Sequence, residues 1–224
     1  DYSQIELVVL AHLADNPGLK EAFLHGEDIH THTAALIFAV HPDLVMPDQR
    51  RIAKTINFGV MYGMSAFRLS NELQIPRSDA QNFIDSYFAR FSGVRNFMQM
   101  IRDEAEKTGK VSTLLGRERV VAEITSRNKM EKAGAERIVV NTVIQGSAAD
   151  IMKLAMLRVV KAMRERKCRS RLLLQVHDEL IFEVPEDELT MMQLLVKQEM
   201  EGAYTLSVPL RVSMEVGDSW GQMH

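Results

Sequence analysis

Two short apolar runs late in the chain, separated by only three residues, constrain the fold more than any other feature. Residues 172–176 and 180–184 are each five residues long, too short for stable helices and typical of strands. The connection His177-Asp178-Glu179 leaves room only for a tight turn, so the sequence predicts a hairpin of two buried strands. Its tip would hold Asp178 rigidly and expose it, although aspartate is also an ordinary turn residue.

A second segment predicts a helix over residues 47–62, opened by Pro47 and ended by Gly63. Polar and aromatic side chains recur at every fourth position of this segment: Arg50, Lys54, Phe58 and Tyr62. Steps of four drift only about 40° around a helix, so these side chains share one slowly turning stripe. Apolar residues at positions 52, 56 and 60 lie on the other side and can pack. The stripe therefore predicts a binding face, with surface cations and core aromatics as the plainer alternatives.

The rest of the chain predicts a helix-rich α+β fold with a small antiparallel sheet built largely by the second half. Helices are expected over residues 5–14, 19–24, 29–40, 65–73, 78–90, 94–108, 129–161 and 189–204. The seventh of these is expected to be interrupted near Gly146. Short strands are expected over residues 111–115 and 210–216, and residues 117–129 receive no assignment.

Composition excludes little by itself. The formal net charge of −3 does not indicate a nucleic-acid partner, and the basic run at residues 158–171 is most simply a solvated helix face. A single cysteine, Cys168, allows no internal disulfide and suits a reducing cytosol. No run of 18 apolar residues is present, so we expect a cytoplasmic protein without a membrane partner. Because the chain starts at Asp1 rather than methionine, we expect an internal fragment.

Acidic residues at the two ends of the chain suggest a metal site. If Asp1 ends a strand of the same sheet, its carboxylate could lie beside that of Asp178, and two adjacent carboxylates repel unless a cation or a proton intervenes. Oxygen ligands without a cluster of cysteine or histidine favour Mg²⁺ over Zn²⁺.

A further polar row falls in the predicted helix 129–161. Arg137, Asn141 and Gln145 are spaced by four, so they share one helix face. A solvated surface row is the plainer interpretation of this spacing.

Three blocks together resemble the signature motifs of family A DNA polymerases. They are Asp1-Tyr2-Ser3-Gln4-Ile5-Glu6-Leu7, the helix from Arg50 to Gly63, and His177-Asp178-Glu179, in that order and spacing. The resemblance extends over essentially the whole chain. It implies a palm over residues 1–14 and 126–224 and fingers over residues 15–125, with a thumb and further palm strands outside this sequence.

The resemblance assigns the acidic residues to catalysis. It implies that Asp1 and Asp178 hold two Mg²⁺ ions, for which Mn²⁺ can substitute, and that the backbone carbonyl of Tyr2 is a further metal ligand. Glu179 is implied to be an accessory acid beside the metals. Lys54 is counted with these catalytic residues because it faces the phosphates.

The same resemblance implies the nucleotide contacts. Arg50, Lys54 and His30 would face the triphosphate, and Phe58 would face the sugar. Tyr62 would guard the template-base position, and Glu6 would crowd a ribose 2′-OH. Gln4 would lie near the nascent base pair.

For DNA, the resemblance implies that Arg137, Asn141 and Gln145 contact template and primer at the minor groove. Acceptors there are common to all base pairs, so donors can test pair shape without reading sequence. His177 would contact the primer-terminal phosphate. The implied partners are primer–template DNA and deoxynucleoside triphosphates, and we expect a monomer.

The sequence thus predicts a template-directed DNA polymerase that adds deoxynucleoside monophosphates to a primer 3′-OH and releases pyrophosphate, in DNA replication or repair. A non-catalytic nucleic-acid-binding module and a metal nuclease are the alternatives. Paired carboxylates argue against the first, and the helix face of Arg50, Lys54, Phe58 and Tyr62 argues against the second. We expect the isolated fragment to be weak or inactive.

Overall fold

The computed structural model describes residues 1–223 as nine α-helices and four β-strands. The helices are α1 (Ile5–Leu13), α2 (Pro17–His25), α3 (Ile29–Phe38), α4 (Pro47–Met61), α5 (Ala66–Leu73), α6 (Arg77–Arg90), α7 (Ser92–Thr108), α8 (Lys129–Glu165) and α9 (Leu189–Glu201). The strands are β1 (Lys110–Ser112), β2 (Glu118–Val120), β3 (Arg171–Val176) and β4 (Glu179–Glu183).

The strands form two separate antiparallel pairs, β1 with β2 and β3 with β4. This helix-rich arrangement confirms the predicted α+β class. The chain divides into two compact units, one of Asp1–Val8 with Ala148–His224 and the other of Val9–Ser147. Among residues 1–223, no helix is both long and apolar enough to cross a bilayer.

The helix that carries the predicted binding face forms as expected. Pro47 occupies its first turn, and the Oε1 of Gln49 accepts a hydrogen bond from the backbone N–H of Met46 at 2.9 Å. Ile56 and Val60 are 0% and 4% exposed, which confirms that this side packs into the core. The chain leaves the helix through Gly63, whose φ of +69° favours glycine. Burial of one side of α4 thus leaves the opposite side for function.

The predicted interruption near Gly146 is wrong, because α8 runs unbroken for 37 residues. Glycine is present here for space rather than for a break in the helix. A Cβ at Gly146 would lie only 2.6 Å from the Cγ2 of Thr113, in the loop between β1 and β2. The hydroxyl of Ser147 accepts a hydrogen bond from the N–H of Leu114 at 2.8 Å in the same contact. The β1–β2 loop therefore packs directly against the helix backbone.

The predicted hairpin is confirmed, with β3 and β4 joined by a tight turn at His177 and Asp178. His177 adopts a φ of +52°, in the left-handed region that tight turns use. The expectation of two buried strands is wrong for β3, where Leu173 and Leu174 are about half exposed. Only β4 packs inward, through Leu180 and Ile181. A short apolar run does not by itself distinguish a core strand from one whose face is left open.

The predicted strand over residues 210–216 is also wrong. Only an isolated antiparallel bridge forms, between Val212 and Tyr2. The unassigned stretch of residues 117–129, in contrast, contains β2 and a 3₁₀ turn at Ala122–Thr125. Both differences arise from pairing with distant or neighbouring segments, which local patterns do not encode.

Candidate nucleotide and metal sites

A cavity of about 600 Å³ opens beside α4 in the unit Val9–Ser147. Its lining includes the predicted residues Lys54, Phe58, Tyr62 and Arg137. The first three come from the stripe on α4, and Arg137 comes from α8. A Cβ at Gly63 would lie 3.0 Å from the Cγ of Arg137, so the glycine permits this close approach. The fold thus joins two polar rows that are far apart in the sequence.

Two further cations line this cavity and were missed by the sequence reasoning, Arg51 and Arg68. With Lys54 and Arg137 they make four basic side chains, against the single acid Glu72. Arg51 could have been found, because Arg51, Thr55, Phe58 and Tyr62 follow the i, i+4, i+7, i+11 spacing of a straight helix face. Arg68 lies on α5, beyond the turn at Gly63, so the residue spacing within α4 could not predict its position.

The two predicted phosphate ligands on α4 differ in their surroundings. Arg50 donates two hydrogen bonds to the carboxylate of Asp28, from Nε at 2.6 Å and from Nη2 at 3.1 Å. Although burial alone would raise it, the hydrogen bonds from Arg50 and Thr31 lower the pKa of Asp28 to about 2. Lys54 is exposed and has no ion pair within residues 1–223. Lys54 is therefore the cation that can bind an incoming anion without breaking an existing pair.

His30 lies at the same face of α4. Its ring centroid is 5.7 Å from that of Phe58, and its side chain is almost fully buried. Burial lowers the pKa of His30 to about 4, with Asp28 opposing the shift and Arg50 and Lys54 adding to it. The imidazole is thus neutral at pH 7, so it offers a hydrogen bond rather than a charge.

The polar row on α8 is only partly a surface row. Arg137 and Gln145 are exposed, as a solvated row would require. Asn141 is half-buried, and its Oδ1 has no hydrogen-bond partner among the described residues. The amide of Asn141 therefore has unused capacity for a hydrogen bond.

The predicted acidic residues meet in the other unit. The N–H of Tyr2 donates to the carbonyl of Asp178 at 3.1 Å, while the N–H of Ser213 donates to the carbonyl of Asp1 at 3.0 Å. The buried phenol of Tyr2 donates to the carbonyl of Met200 at 2.7 Å, and its burial raises its pKa. One backbone hydrogen bond and an isolated bridge, rather than a regular strand, thus hold the main chain of Asp1 and Tyr2 against the hairpin turn at Asp178.

The electrostatics of this region also show the clustering. Burial lowers the pKa of the Asp1 amine, while the carboxylates of Glu179, Asp178 and Glu215 oppose that shift. Asp1 and Glu179 both line a cavity of about 280 Å³. No group of three or more acidic, histidine or cysteine side chains that could hold a metal occurs within residues 1–223.

The remaining predicted residues of this unit lie at turns and helix ends. Gln4 has a φ of +57°, and its carbonyl accepts from the N–H groups of Leu7 and Val8 at the start of α1. Glu6 is half-buried in the first turn of α1. His177 is exposed in the hairpin turn, and its carbonyl accepts from the Nε2 of Gln175 at 2.9 Å. The hairpin geometry leaves the His177 imidazole available to a partner.

The chain belongs to DNA polymerase family A, whose family model matches residues 1–222. It is 53% identical over 224 residues to the DNA polymerase I of Treponema pallidum (strain Nichols), which is all of this chain and 22% of that protein. It is 50% identical over 220 residues to the thermostable DNA polymerase I of Thermus filiformis, which is 98% of this chain and 26% of that protein. The chain thus spans about a quarter of the length of these curated relatives.

A solved structure shows the same fold. It is the POL domain of Pol1 from M. smegmatis in complex with DNA primer-template and dNTP. The TM-score is 0.96 at 46% sequence identity, and the match covers 100% of this chain and 39% of that one. At this identity and coverage, the two chains share the architecture of the whole matched region.

Proposed function

We propose that this chain is part of a template-directed DNA polymerase, in which it binds the incoming deoxynucleoside triphosphate and joins it to a primer 3′-OH. One observation carries the proposal: a cavity of about 600 Å³ combines four cations with the rings of Phe58 and Tyr62. Ligand sites of about 300–1,000 Å³ suit molecules of nucleotide size. Membership of DNA polymerase family A supports the same reaction.

The triphosphate is the part of the nucleotide that Lys54 recognises. The ammonium of Lys54 has no ion pair among residues 1–223 and lies at the middle of α4, one helical turn beyond Arg50. Arg50, already held by Asp28, adds positive charge without a free guanidinium. His30 contributes a neutral hydrogen-bond donor. These residues bind and orient the phosphates, and they make the leaving pyrophosphate less costly to form.

The sugar and the base are recognised further along α4. Phe58 follows Lys54 by one helical turn, so its ring contacts the sugar if Lys54 binds the phosphates. Tyr62, one turn further, lies at the position of the template base. Glu6 is proposed to exclude a ribose 2′-OH, and Gln4 to lie near the nascent pair.

The carboxylates are proposed to supply the metal ligands. Asp1, Asp178 and the carbonyl of Tyr2 would hold two Mg²⁺ ions, with Glu179 as an accessory acid. When bound, such ions activate the primer hydroxyl and neutralise charge on the phosphates. What supports this proposal is the backbone: the buried Tyr2 phenol and the hydrogen bond from the Tyr2 N–H to the Asp178 carbonyl hold the main chain at Asp1 next to the main chain at Asp178.

Primer–template DNA is the proposed second partner. The M. smegmatis Pol1 structure contains DNA primer-template and dNTP, which supports both partners here. Arg137, Asn141 and Gln145 would contact the minor groove, and His177 the primer-terminal phosphate. Residues 15–125 are proposed to act as fingers and residues 1–14 and 126–224 as palm.

The test is primer extension by a chimera in which this chain replaces the matching segment of Treponema pallidum DNA polymerase I. The proposal expects Mg²⁺-dependent, template-directed extension by the chimera. A control chimera with Lys54→Ala should extend poorly at low nucleotide concentration and bind primer–template as well as the unsubstituted one. A chimera that binds DNA without extending it would support a binding module instead, and strand cleavage would support a nuclease.

A further inference from the structure

Three buried polar side chains form a continuous chain of hydrogen bonds between α3 and α4. The hydroxyl of Thr33 donates to the Oδ1 of Asn57 at 3.1 Å. The Nδ2 of Asn57 lies 3.1 Å from the Nδ1 of His30. Thr33 and Asn57 are 0% exposed and His30 is 2% exposed, so water does not compete for these bonds. The three side chains therefore bond to one another rather than to solvent.

The chemistry of an amide determines what His30 presents. Asparagine has one accepting end and one donating end. The hydroxyl of Thr33 donates to the Oδ1 of Asn57, so the Nδ2 of Asn57, which can only donate, faces the Nδ1 of His30. A nitrogen that accepts a hydrogen bond carries no proton, so the proton of the neutral ring is on Nε2.

His30 lies among groups that suit a phosphate. Its ring is 5.7 Å from Phe58, and the charged groups around it are Asp28 before α3 and Arg50 and Lys54 on α4. Burial, the largest cause, holds the pKa of His30 at about 4, so the ring stays neutral above that pH. A neutral ring with one fixed N–H gives the same hydrogen bond throughout the neutral range.

We propose that Asn57, oriented by Thr33, is a positioning residue for nucleotide binding: it holds His30 in the tautomer whose Nε2–H donates to a phosphate oxygen of the incoming nucleotide. This inference rests on the proposed function. Lys54 and His30 would then contribute differently to binding the triphosphate: Lys54 supplies positive charge, and His30 supplies a hydrogen bond of fixed orientation. If Asn57 served only to pack α3 against α4, its replacement would lower stability. Nucleotide affinity would then not depend on the tautomer of His30.

The first arm of the test is spectroscopic and needs no activity. Long-range ¹H–¹⁵N spectra of histidine-labelled protein distinguish protonated from unprotonated ring nitrogens, and a His30→Phe sample identifies the His30 signals among the seven histidines. We expect Nε2 protonated and Nδ1 unprotonated between pH 6 and pH 8. A proton on Nδ1 would overturn the proposal.

The second arm measures nucleotide affinity in the chimera, with a primer that lacks a 3′-OH. Asn57→Leu should weaken nucleotide binding about tenfold, the order of one hydrogen bond to a charged acceptor. Thr33→Val, a milder change that preserves shape, should weaken it about threefold. Primer–template affinity should stay within twofold in both variants.

The matched control is Asn57→Leu in a chimera that also carries His30→Phe, in which the imidazole nitrogens are absent. In a His30→Phe chimera, Asn57→Leu should cost no further nucleotide affinity, because there is no tautomer left to fix. An equal loss in both backgrounds, or no loss from Asn57→Leu alone, would overturn the inference. If the unsubstituted chimera failed to extend a primer, the proposed function would fail, while the spectra would still decide the tautomer.

Discussion

At the residue scale, the cations of α4 divide between structure and recognition. Arg50 is held by Asp28 through two hydrogen bonds, whereas Lys54 has no ion pair among residues 1–223. An arginine already bound to a carboxylate contributes to the local potential but loses much of its donor capacity. Lys54 retains both charge and donors, so it should dominate the affinity for the triphosphate.

Replacing Lys54 with alanine should therefore act on the nucleotide. We expect nucleotide affinity in the chimera to fall by about 10- to 100-fold, as for loss of a charged hydrogen bond, with primer–template affinity nearly unchanged. Equilibrium titration with each ligand separately measures both. Lys107→Ala, which removes an exposed lysine of α7, is the control and should change neither. A loss confined to DNA binding would show that α4 does not face the triphosphate.

A change at Phe58 tests the register of α4. Phe58→Tyr should make the chimera accept 2′,3′-dideoxynucleotides more readily, because a phenolic hydroxyl supplies a polar contact that the missing 3′-OH removes. The measurement is a single-turnover competition between dideoxy- and deoxynucleotide, with base-pair fidelity as the control. Unchanged discrimination would place the ring of Phe58 away from the sugar.

The buried neutral His30 should also make stability depend on pH. Its folded pKa of about 4 lies below the ordinary 6.5, so the unfolded chain binds more protons between these values. The free energy of unfolding should therefore be highest above pH 6.5 and fall towards pH 4, by at most about 1.4 kcal/mol per pH unit.

Urea unfolding of the chain at several pH values measures this, with His30→Phe as the comparison. His12, whose pKa is also lowered by burial, remains in both proteins and cancels in the difference. The free energy of unfolding of the parent chain, minus that of His30→Phe, should decrease as the pH falls from 6.5 to 4. A difference independent of pH would show that His30 titrates normally.

At the scale of elements, predictions from the sequence held where local chemistry determines structure. Asp28 caps α3 by accepting from the N–H of Thr31, and Pro47 and Gly63 mark the ends of α4. They failed where a distant segment decides. Gly146 predicts a break in α8, yet its role is to leave room for Thr113, which lies 33 positions earlier.

That contact gives a prediction about stability. Gly146→Ala would gain about 1 kcal/mol of helix propensity, but its Cβ would lie 2.6 Å from the stiff Cγ2 of Thr113. Overpacking of this kind costs about 1–3 kcal/mol, so we expect a net loss of stability. Thr113→Ser removes Cγ2 and keeps the hydroxyl that accepts from the N–H of Arg117.

The double variant, Gly146→Ala with Thr113→Ser, should recover the stability lost by Gly146→Ala. Urea unfolding of the four proteins forms a double-mutant cycle, whose coupling term isolates the contact. If Gly146→Ala stabilised the chain, the β1–β2 loop would have to move away from α8 at little cost in free energy, and the contact with Thr113 would not be tightly packed.

At the scale of the whole molecule, each of the two candidate sites combines residues that are distant in the sequence. Asp1 reaches the hairpin tip because the N–H of Tyr2 donates to the carbonyl of Asp178, at 3.1 Å. Residue spacing alone could not predict that contact, and the resemblance to family A polymerases was needed to pair the two aspartates. Arg51 and Arg68 are the opposite case. The fold brings both to the cavity beside α4, although neither belongs to the row of residues spaced by four that predicts the binding face.

The most direct test of the central claim is the effect of Asp178→Asn on primer extension by the chimera in Mg²⁺. Asparagine keeps the size of the side chain and removes its charge, so the metal ligand is lost with little change in packing. We expect the extension rate to fall about a thousandfold or more while primer–template affinity is retained, because metal ligation acts mainly on the transition state. Glu183→Gln, which removes an exposed carboxylate from β4 of the same hairpin, should stay within twofold. Extension by Asp178→Asn within tenfold of the unsubstituted chimera would contradict the assignment of Asp178 as a metal ligand.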